Sequence, residues 1–253
     1  MDDDALLAVL HQSATAVADA LGGLGDWGPA GTRPGQYRSD LVADAAAIEV
    51  LDGAGLGVMS EESGTHAGDR EMVAVLDPLD GSTNAARGIP WYATSVCAVD
   101  AEGPRAAVVV NQSSGIRFEA ARGGGARRDG KSMRASGCTV LGEAIVGFSG
   151  YPRRYFGWSQ YRQLGAAALD LCAVAEGVLD GYAVVGTSSL GAWDYLGGML
   201  ICSEAGAVVT ESLGRELVTL DHQARRTPVA AGTPELLQAL SAGAADSVVP
   251  SGV

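Results

Sequence analysis

Positive charge is scarce in this chain. Its 253 residues carry 17 Lys plus Arg against 30 Asp plus Glu, a formal net charge of −13. A surface of that sign lacks the basic footprint of a general nucleic-acid binder and is repelled by anionic membranes. Long apolar runs are missing as well. No uninterrupted stretch reaches the roughly 18 residues that read as a bilayer span, and the acidic start Met1-Asp2-Asp3-Asp4 reverses the basic opening of a secretory signal. Cysteine is sparse: Cys97, Cys138, Cys172 and Cys202 lie far apart with no C-x-x-C. That pattern reads as buried, reduced thiols in a cytoplasmic protein. Apolar residues, by contrast, are plentiful. A composition of 47% hydrophobic and 19% charged residues is globular rather than disordered. A chain this long buries about 70% of its unfolded surface, so its core needs no disulfide or metal staple. Length alone allows one or two domains.

Periodicity predicts the elements. Leu6, Val9, Leu10, Ala14, Val17 and Leu21 keep a helical period over residues 3–21, closed by Gly22-Gly23. Residues 22–39, rich in Gly, Pro and Arg, read as a loop, and a shorter helix is predicted over 41–52. Residues 57–59 and 72–76 read as buried strands. Between 94 and 148, apolar runs at 94–99, 106–111 and 116–120 are punctuated by Gly, Pro, Asp and Ser, which predicts an antiparallel meander. Asn111-Gln112-Ser113 fits the glycosylation triplet but reads as a turn. Arg127-Arg128 falls in a solvated hairpin. A helix over 164–179, a strand at 181–185, a helix at 193–205, strands at 208–209 and 228–231 and a last helix at 236–240 follow. A frayed tail is expected from 241. This order implies sheets covered by helices.

Three acidic clusters sit at the ends of these elements. They are Ser60-Glu61-Glu62-Ser63, Leu76-Asp77-Pro78-Leu79-Asp80-Gly81-Ser82-Thr83-Asn84, and Ala192-Trp193-Asp194. In the second, a strongly apolar strand ends in two carboxylates. Pro78 removes a ladder donor, so a turn is expected there, with Asp77 and Asp80 converging and the Leu79 carbonyl beside them. Hard divalent cations such as Mg²⁺ seek oxygen arrays of this kind, and carboxylates held close repel unless a cation or proton compensates. Gly81-Ser82-Thr83-Asn84 reads as a helix start whose amides suit a phosphate oxygen. From these residues alone, a metal-dependent phosphoryl site and a plain Asx turn capped by Asp80 both remain open.

Taken in order, Glu61-Glu62-Ser63, Asp77 to Asn84, and Trp193-Asp194 with Glu204-Ala205-Gly206 resemble the inositol monophosphatase family. That family belongs to the lithium-sensitive, magnesium-dependent sugar phosphatase superfamily, which includes fructose-1,6-bisphosphatases. Weaker matches are Gly165-Ala166-Ala167-Ala168-Leu169-Asp170-Leu171, Val174-Ala175-Glu176-Gly177, Asp180-Gly181-Tyr182 and Ser39-Asp40-Leu41-Val42-Ala43-Asp44. The resemblance implies an α/β (α+β) fold, a layered αβαβα sandwich. Residues 1–240 would form a single phosphatase unit, with halves at about 1–150 and 151–240. It further implies a Mg²⁺-dependent, lithium-sensitive phosphomonoesterase for a small phosphorylated metabolite, of inositol phosphate or sugar/polyol phosphate type, commonly a homodimer. The alternative is a catalytically weak member that binds such a metabolite as a sensor or partner protein.

The resemblance also assigns residues. Glu61, Asp77 and the Leu79 carbonyl would hold one Mg²⁺, and Asp77, Asp80 and Asp194 a second. Glu61, Glu62 and Asp80 would bind a third ion or its waters. Ser82 stands where the family has a Thr that positions the attacking water, with Asp44 as its acidic partner. The amides of Gly81 and Ser82 would hold phosphate. No histidine is required: His11, His66 and His222 lie outside every motif. On the substrate side the family's pocket positions fall on Gly165, Ala166 and Thr187. Thr187 stands where inositol phosphatases often have a Glu, and Ala166 lacks the usual hydroxyl. A site stripped of such polar contacts discriminates poorly between substrates.

Overall fold

A computed structural model describes residues 1–247 of the chain. Two helices open it. α1 (Asp3–Gly22) is capped by Asp2, whose carboxylate accepts from the Ala5 amide at 2.8 Å. α2 (Arg38–Gly53) begins three residues earlier than the apolar period indicates, because the Asp40 side chain turns back to accept from the Tyr37 amide at 2.8 Å. α1 is long and apolar enough by composition to cross a membrane. Its apolar stripe of Leu6, Leu10, Ala14, Val17 and Leu21 is nonetheless buried in the core, as expected of an amphipathic helix packed on a sheet.

An eight-stranded sheet follows the order β2 (Gly64–His66), β1 (Gly57–Ser60), β3 (Val73–Asp80), β4 (Ala93–Asp100), β5 (Gly103–Asn111), β6 (Arg117–Ala121), β7 (Ala126–Arg128), β8 (Lys131–Ser132). Only β1 and β3 pair in parallel. The two-residue alternation of β3, β4 and β5 sorts the side chains. Ala74, Leu76, Val96, Ala98, Val108 and Val110 pack with α1 and α2, while Val75, Cys97, Ala107 and Val109 face the opposite side. There they meet α4 (Ala167–Ala175) and α5 (Ala192–Glu204). Beyond these two helices lies a second sheet, ordered β10 (Gln160–Arg162), β9 (Ile145–Ser149), β11 (Gly181–Val184), β13 (Pro228–Ala231), β12 (Val208–Glu211). Tyr182, Val184 and Ala230 point back to α4 and α5. Ala183, Val229 and Ala231 point outward to α6 (Pro234–Ala245). The layers are therefore αβαβα.

Three expectations need correction. The strand that leads into the second acidic cluster does not turn at Pro78. β3 runs on to Asp80, and its register against β4 shifts: Asp77 faces Ser95 but Asp80 faces Ala93. A bulge absorbs the missing proline donor, and the Pro78 carbonyl accepts from Thr94 Oγ1 at 2.9 Å. The last helix does not stop at 240. Pro234 occupies its first turn, Thr233 caps it, and Leu236, Leu240 and Ala244 form its buried stripe to Ala245. Residues 248–253 of the expected tail lie outside the described residues. Cys138 is half-buried, whereas Cys97, Cys172 and Cys202 are buried; all four are free thiols. The short strands β2 and β10 escape prediction because their residues are largely exposed and carry no apolar alternation. The Asn111 triplet does form a turn, with Asn111 Oδ1 accepting from the Ser113 amide at 2.9 Å.

α5 approaches α4 so closely that a Cβ on Gly198 would lie 2.5 Å from Leu171 Cβ. Gly198→Val is expected to destabilise the fold by about 1–3 kcal/mol through overpacking, read as a lower urea midpoint; an unchanged midpoint would contradict this packing.

Candidate metal centre

The bulge that ends β3 decides where the acids go. Asp77 sits on the last regular pair of the ladder and is 1% exposed. Its Oδ1 accepts from the Leu79 amide at 3.0 Å, which fixes the carboxylate over the bulge. Asp80 ends the strand and crosses to α4, where its Oδ2 accepts from the Ala168 amide at 2.7 Å. The first turn of α4 thus holds one oxygen of Asp80. Asp194 lies in the first turn of α5 and reaches back to accept from the amide of the N-cap Gly191 at 2.7 Å. Glu61 follows β1, and its amide donates to the Leu76 carbonyl at 3.1 Å, so the ends of β1 and β3 lie side by side.

Glu61, Asp77 and Asp194 each present a carboxylate oxygen within 4.8 Å of the others. Burial raises every one of these acids, and neighbouring charge raises them further. Glu61 is pushed up to about 8 by burial and then by Asp194 and Glu62. Asp80 is pushed to about 8 by burial, with Asp170 and Glu61 adding to it. Asp194 is pushed to about 7 by burial and Asp80. Asp77 is raised well above the ordinary carboxylate range by burial, Glu61 and Asp80. An all-oxygen cluster whose members resist ionising together fits a divalent cation.

Gly81 caps α3 (Ser82–Arg87) in the left-handed conformation, φ +84°. A Cβ there would meet the Trp91 carbonyl at 3.0 Å, Ala166 Cβ at 3.1 Å and the Gly165 carbonyl at 3.2 Å. Glycine at 81 is therefore dictated by space as well as by φ. Ala166 is 1% exposed and packs under this turn. Its placement in the substrate pocket is corrected accordingly: a larger side chain would push on Gly81. Ser82 and the acids Asp40, Glu61 and Glu62 line one cavity of about 260 Å³, together with Arg33, Gln36, Trp193, His222 and Arg225.

On the other side of Asp80 and Asp194, a cavity of about 260 Å³ is lined by Ser149, Gln163, Gly165 and Ser188. A neighbouring cavity of about 570 Å³ shares Gly150, Gln163 and Ser188 with it and adds Tyr151, Arg153 and Thr187. Gly165 thus borders the acids directly, and Thr187 lies one cavity further out. Arg128 pairs with Glu176 at 2.6 Å and Arg154 with Asp246 at 2.6 Å, both away from the acids.

Two assignments change. Asp44 does not reach Ser82; its Oδ1 accepts from the Ser60 hydroxyl behind β1. The α2 acid at the cavity wall is Asp40, one helical turn earlier. It is 3% exposed, its Oδ1 has no protein partner, and burial lifts it to about 6. His222 is not remote. Its ring lies 4.7 Å from the Trp193 ring and its Nε2 is 3.0 Å from the Ser60 carbonyl, while the Arg225 guanidinium sits 5.1 Å over Trp193. Arg33, Gln36, His222 and Arg225 come from two loops whose sequence carries no period. For Arg33 and Gln36 the one signal in the sequence is the density of Gly, Pro and Arg in residues 22–39; His222 and Arg225 carry none.

The fold and site together define a two-sheet α/β protein built around a carboxylate centre, of the phosphatase type. A profile of the inositol monophosphatase family matches residues 53–249, and the chain belongs to that family. Among its relatives is the fructose-1,6-bisphosphatase/inositol-1-monophosphatase of Archaeoglobus fulgidus, 34% identical over 209 residues, covering 79% of this chain and 81% of that protein. Nus factor SuhB of Salmonella typhimurium is 31% identical over 207 residues, covering 76% and 74% of the two chains. The crystal structure of extragenic suppressor protein suhB from Bartonella henselae superposes with a TM-score of 0.81 at 26% identity, over 98% of this chain and 100% of that one.

The raised acids make stability depend on pH. Because the folded protein holds their protons more tightly than the unfolded chain does, their contribution to stability is greatest below about pH 4. It is lost as pH rises through about 7 to 8. After chelation, the melting temperature is expected to fall between pH 6 and pH 8.5 and to recover with saturating Mg²⁺. A chelated protein equally stable at both pH values would contradict the shifts.

Proposed function

We propose that the protein is a Mg²⁺-dependent phosphomonoesterase acting on a small phosphorylated metabolite, as a cytoplasmic homodimer. The observation that carries this reading is the convergence of Glu61, Asp77 and Asp194 at the bulged end of β3, with Ser82 on the adjoining wall. Glu61, Asp77, Asp80 and Asp194, with the Leu79 carbonyl, are the groups that would hold the ions. Bound Mg²⁺ would supply an activated water and offset charge on the phosphate. The chain's own residues do the rest. The first-turn amides at Gly81 and Ser82 bind phosphate oxygens, and the Ser82 hydroxyl orients the attacking water. Asp40, on the same cavity wall and with its carboxyl lifted to about 6, accepts the proton that this hydroxyl passes on. The case for a weakly catalytic binding protein rests on the altered Asp44 region and on the polar contacts missing at Ala166 and Thr187; Asp40 at the cavity wall supports the enzyme reading instead.

The substrate side supports breadth. Ser149, Gln163 and Ser188 offer hydroxyl and amide partners for a polyol. Arg153, beside Thr187 in the adjoining cavity, offers a cation to a second anionic group. The Archaeoglobus relative, named for both fructose-1,6-bisphosphatase and inositol-1-monophosphatase activity, supports the same range.

Phosphate release from inositol 1-phosphate and fructose 1,6-bisphosphate with Mg²⁺ tests the reading. Asp40→Asn is expected to lower kcat about 100-fold or more. Asp44→Asn should keep most of kcat and lower the melting temperature instead, because it disturbs a buried hydrogen bond to Ser60. No turnover of either substrate above an Asp194→Asn control would sink the enzyme reading, and equal kcat losses in the two variants would sink the role of Asp40.

A further inference from the structure

The segment between α1 and α2 folds into a small hairpin over the acidic cavity. Pro29 bridges Tyr37, and the Ala30 amide donates to the Gln36 carbonyl at 2.9 Å. Gly31 and Gly35, both at positive φ, bracket Arg33-Pro34 at its tip. This tip is tied to one carboxylate. Arg33 Nη2 donates to Glu62 Oε2 at 2.6 Å, and Gln36 Nε2 donates to the same oxygen. Glu62 is held in place from below, its amide donating to Ser60 Oγ at 3.2 Å, and its side chain is 6% exposed. The resemblance groups Glu62 with Glu61 as a ligand of a third ion. Among the described residues, the acids whose oxygens gather within 4.8 Å are Glu61, Asp77 and Asp194; Glu62 and Asp80 both stand outside this group, Asp80 held by the Ala168 amide and Glu62 by Arg33 and Gln36.

We propose that Arg33 is a built-in counter-cation that takes the place of a third divalent ion on Glu62, so that the centre binds two ions and no more. This rests on the metal-dependent reading above and specifies its ion count. A guanidinium at 2.6 Å forms a charge-assisted bond, and arginine stays protonated at any working pH. A divalent ion on the same oxygen would have to displace both Arg33 and Gln36 and open the hairpin. The Arg33 charge also opposes the burial that raises Glu61 and Asp40. Arg33 is thus a positioning residue. It holds Glu62 and closes the hairpin wall opposite Ser82 without drawing on a metal ion.

Ion counting by isothermal titration with Mg²⁺, repeated with Mn²⁺ followed by electron paramagnetic resonance, tests this on the full chain. The parent is expected to bind two ions, and Arg33→Lys two. Arg33→Gln should bind three, falling back to two in the Arg33→Gln, Glu62→Gln double variant. Arg33 is 46% exposed on a hairpin tip, so its substitution leaves the core intact, and circular dichroism verifies this. Glu62→Gln in the parent background is an independent arm, expected to leave the count at two. Three ions in the parent, two in Arg33→Gln, or a lost ion in Glu62→Gln would each overturn the proposal. A parent that binds two ions yet releases no phosphate would sink the phosphatase reading while leaving the ion count standing.

Discussion

Mutual repulsion among buried carboxylates organises this molecule. Asp77 cannot leave the end of β3, because the bulge and the Leu79 amide hold it there. Glu61 is brought alongside by the parallel pairing of β1 with β3. Asp80 and Asp194 are held by the first turns of α4 and α5. The carboxylates of Asp77, Asp80 and Asp194 are each satisfied locally by a backbone donor, yet together with Glu61 they build a centre that burial and like charge drive toward protonation. Divalent cations would resolve this conflict, and under the proposed function their positive charge is what a phosphate would meet. A chain of net charge −13 would in this way handle an anionic substrate, since bound ions set the local sign.

The layers serve that centre. α4 and α5 lie between the two sheets, and their N-terminal turns arrive at the bulged end of β3. Small residues permit the approach: Gly198 against Leu171, Gly197 against Ser95, and Gly81 against Ala166 and Gly165. The alanine at 166, which in sequence looks like a lost substrate contact, is a packing requirement of the glycine turn that starts α3.

Much of this was legible in the residues. The apolar alternation of β3 to β5 and the stripe of α1 reflect burial on known faces, so they can be read from spacing. The acidic motifs could be read because several carboxylates placed at the ends of apolar elements repel one another unless a cation or proton joins them. What could not be read depends on phase and on loops. Asp40 and Asp44 lie one turn apart on the same buried face of α2. Which of them meets the cavity is set by where the helix begins, and Asp40 sets that start itself through its bond to Tyr37. Pro78 signals a broken ladder, but only the register against β4 shows that the break is a bulge rather than a turn. Arg33, Gln36, His222 and Arg225 reach the site through the folding of irregular segments, which carry no period to read.

Asp77 is the meeting point of the repulsion and of the proposed cation binding. Thermal unfolding of the parent and of Asp77→Asn, each with and without saturating Mg²⁺ at pH 8, tests that role directly. Without Mg²⁺ the variant should melt at or above the parent, because one member of the mutually raised acid cluster has been removed. With Mg²⁺ the parent's melting temperature should rise and the variant's stay nearly fixed. A chelated variant melting well below the chelated parent, or a variant stabilised by Mg²⁺ as much as the parent, would contradict it.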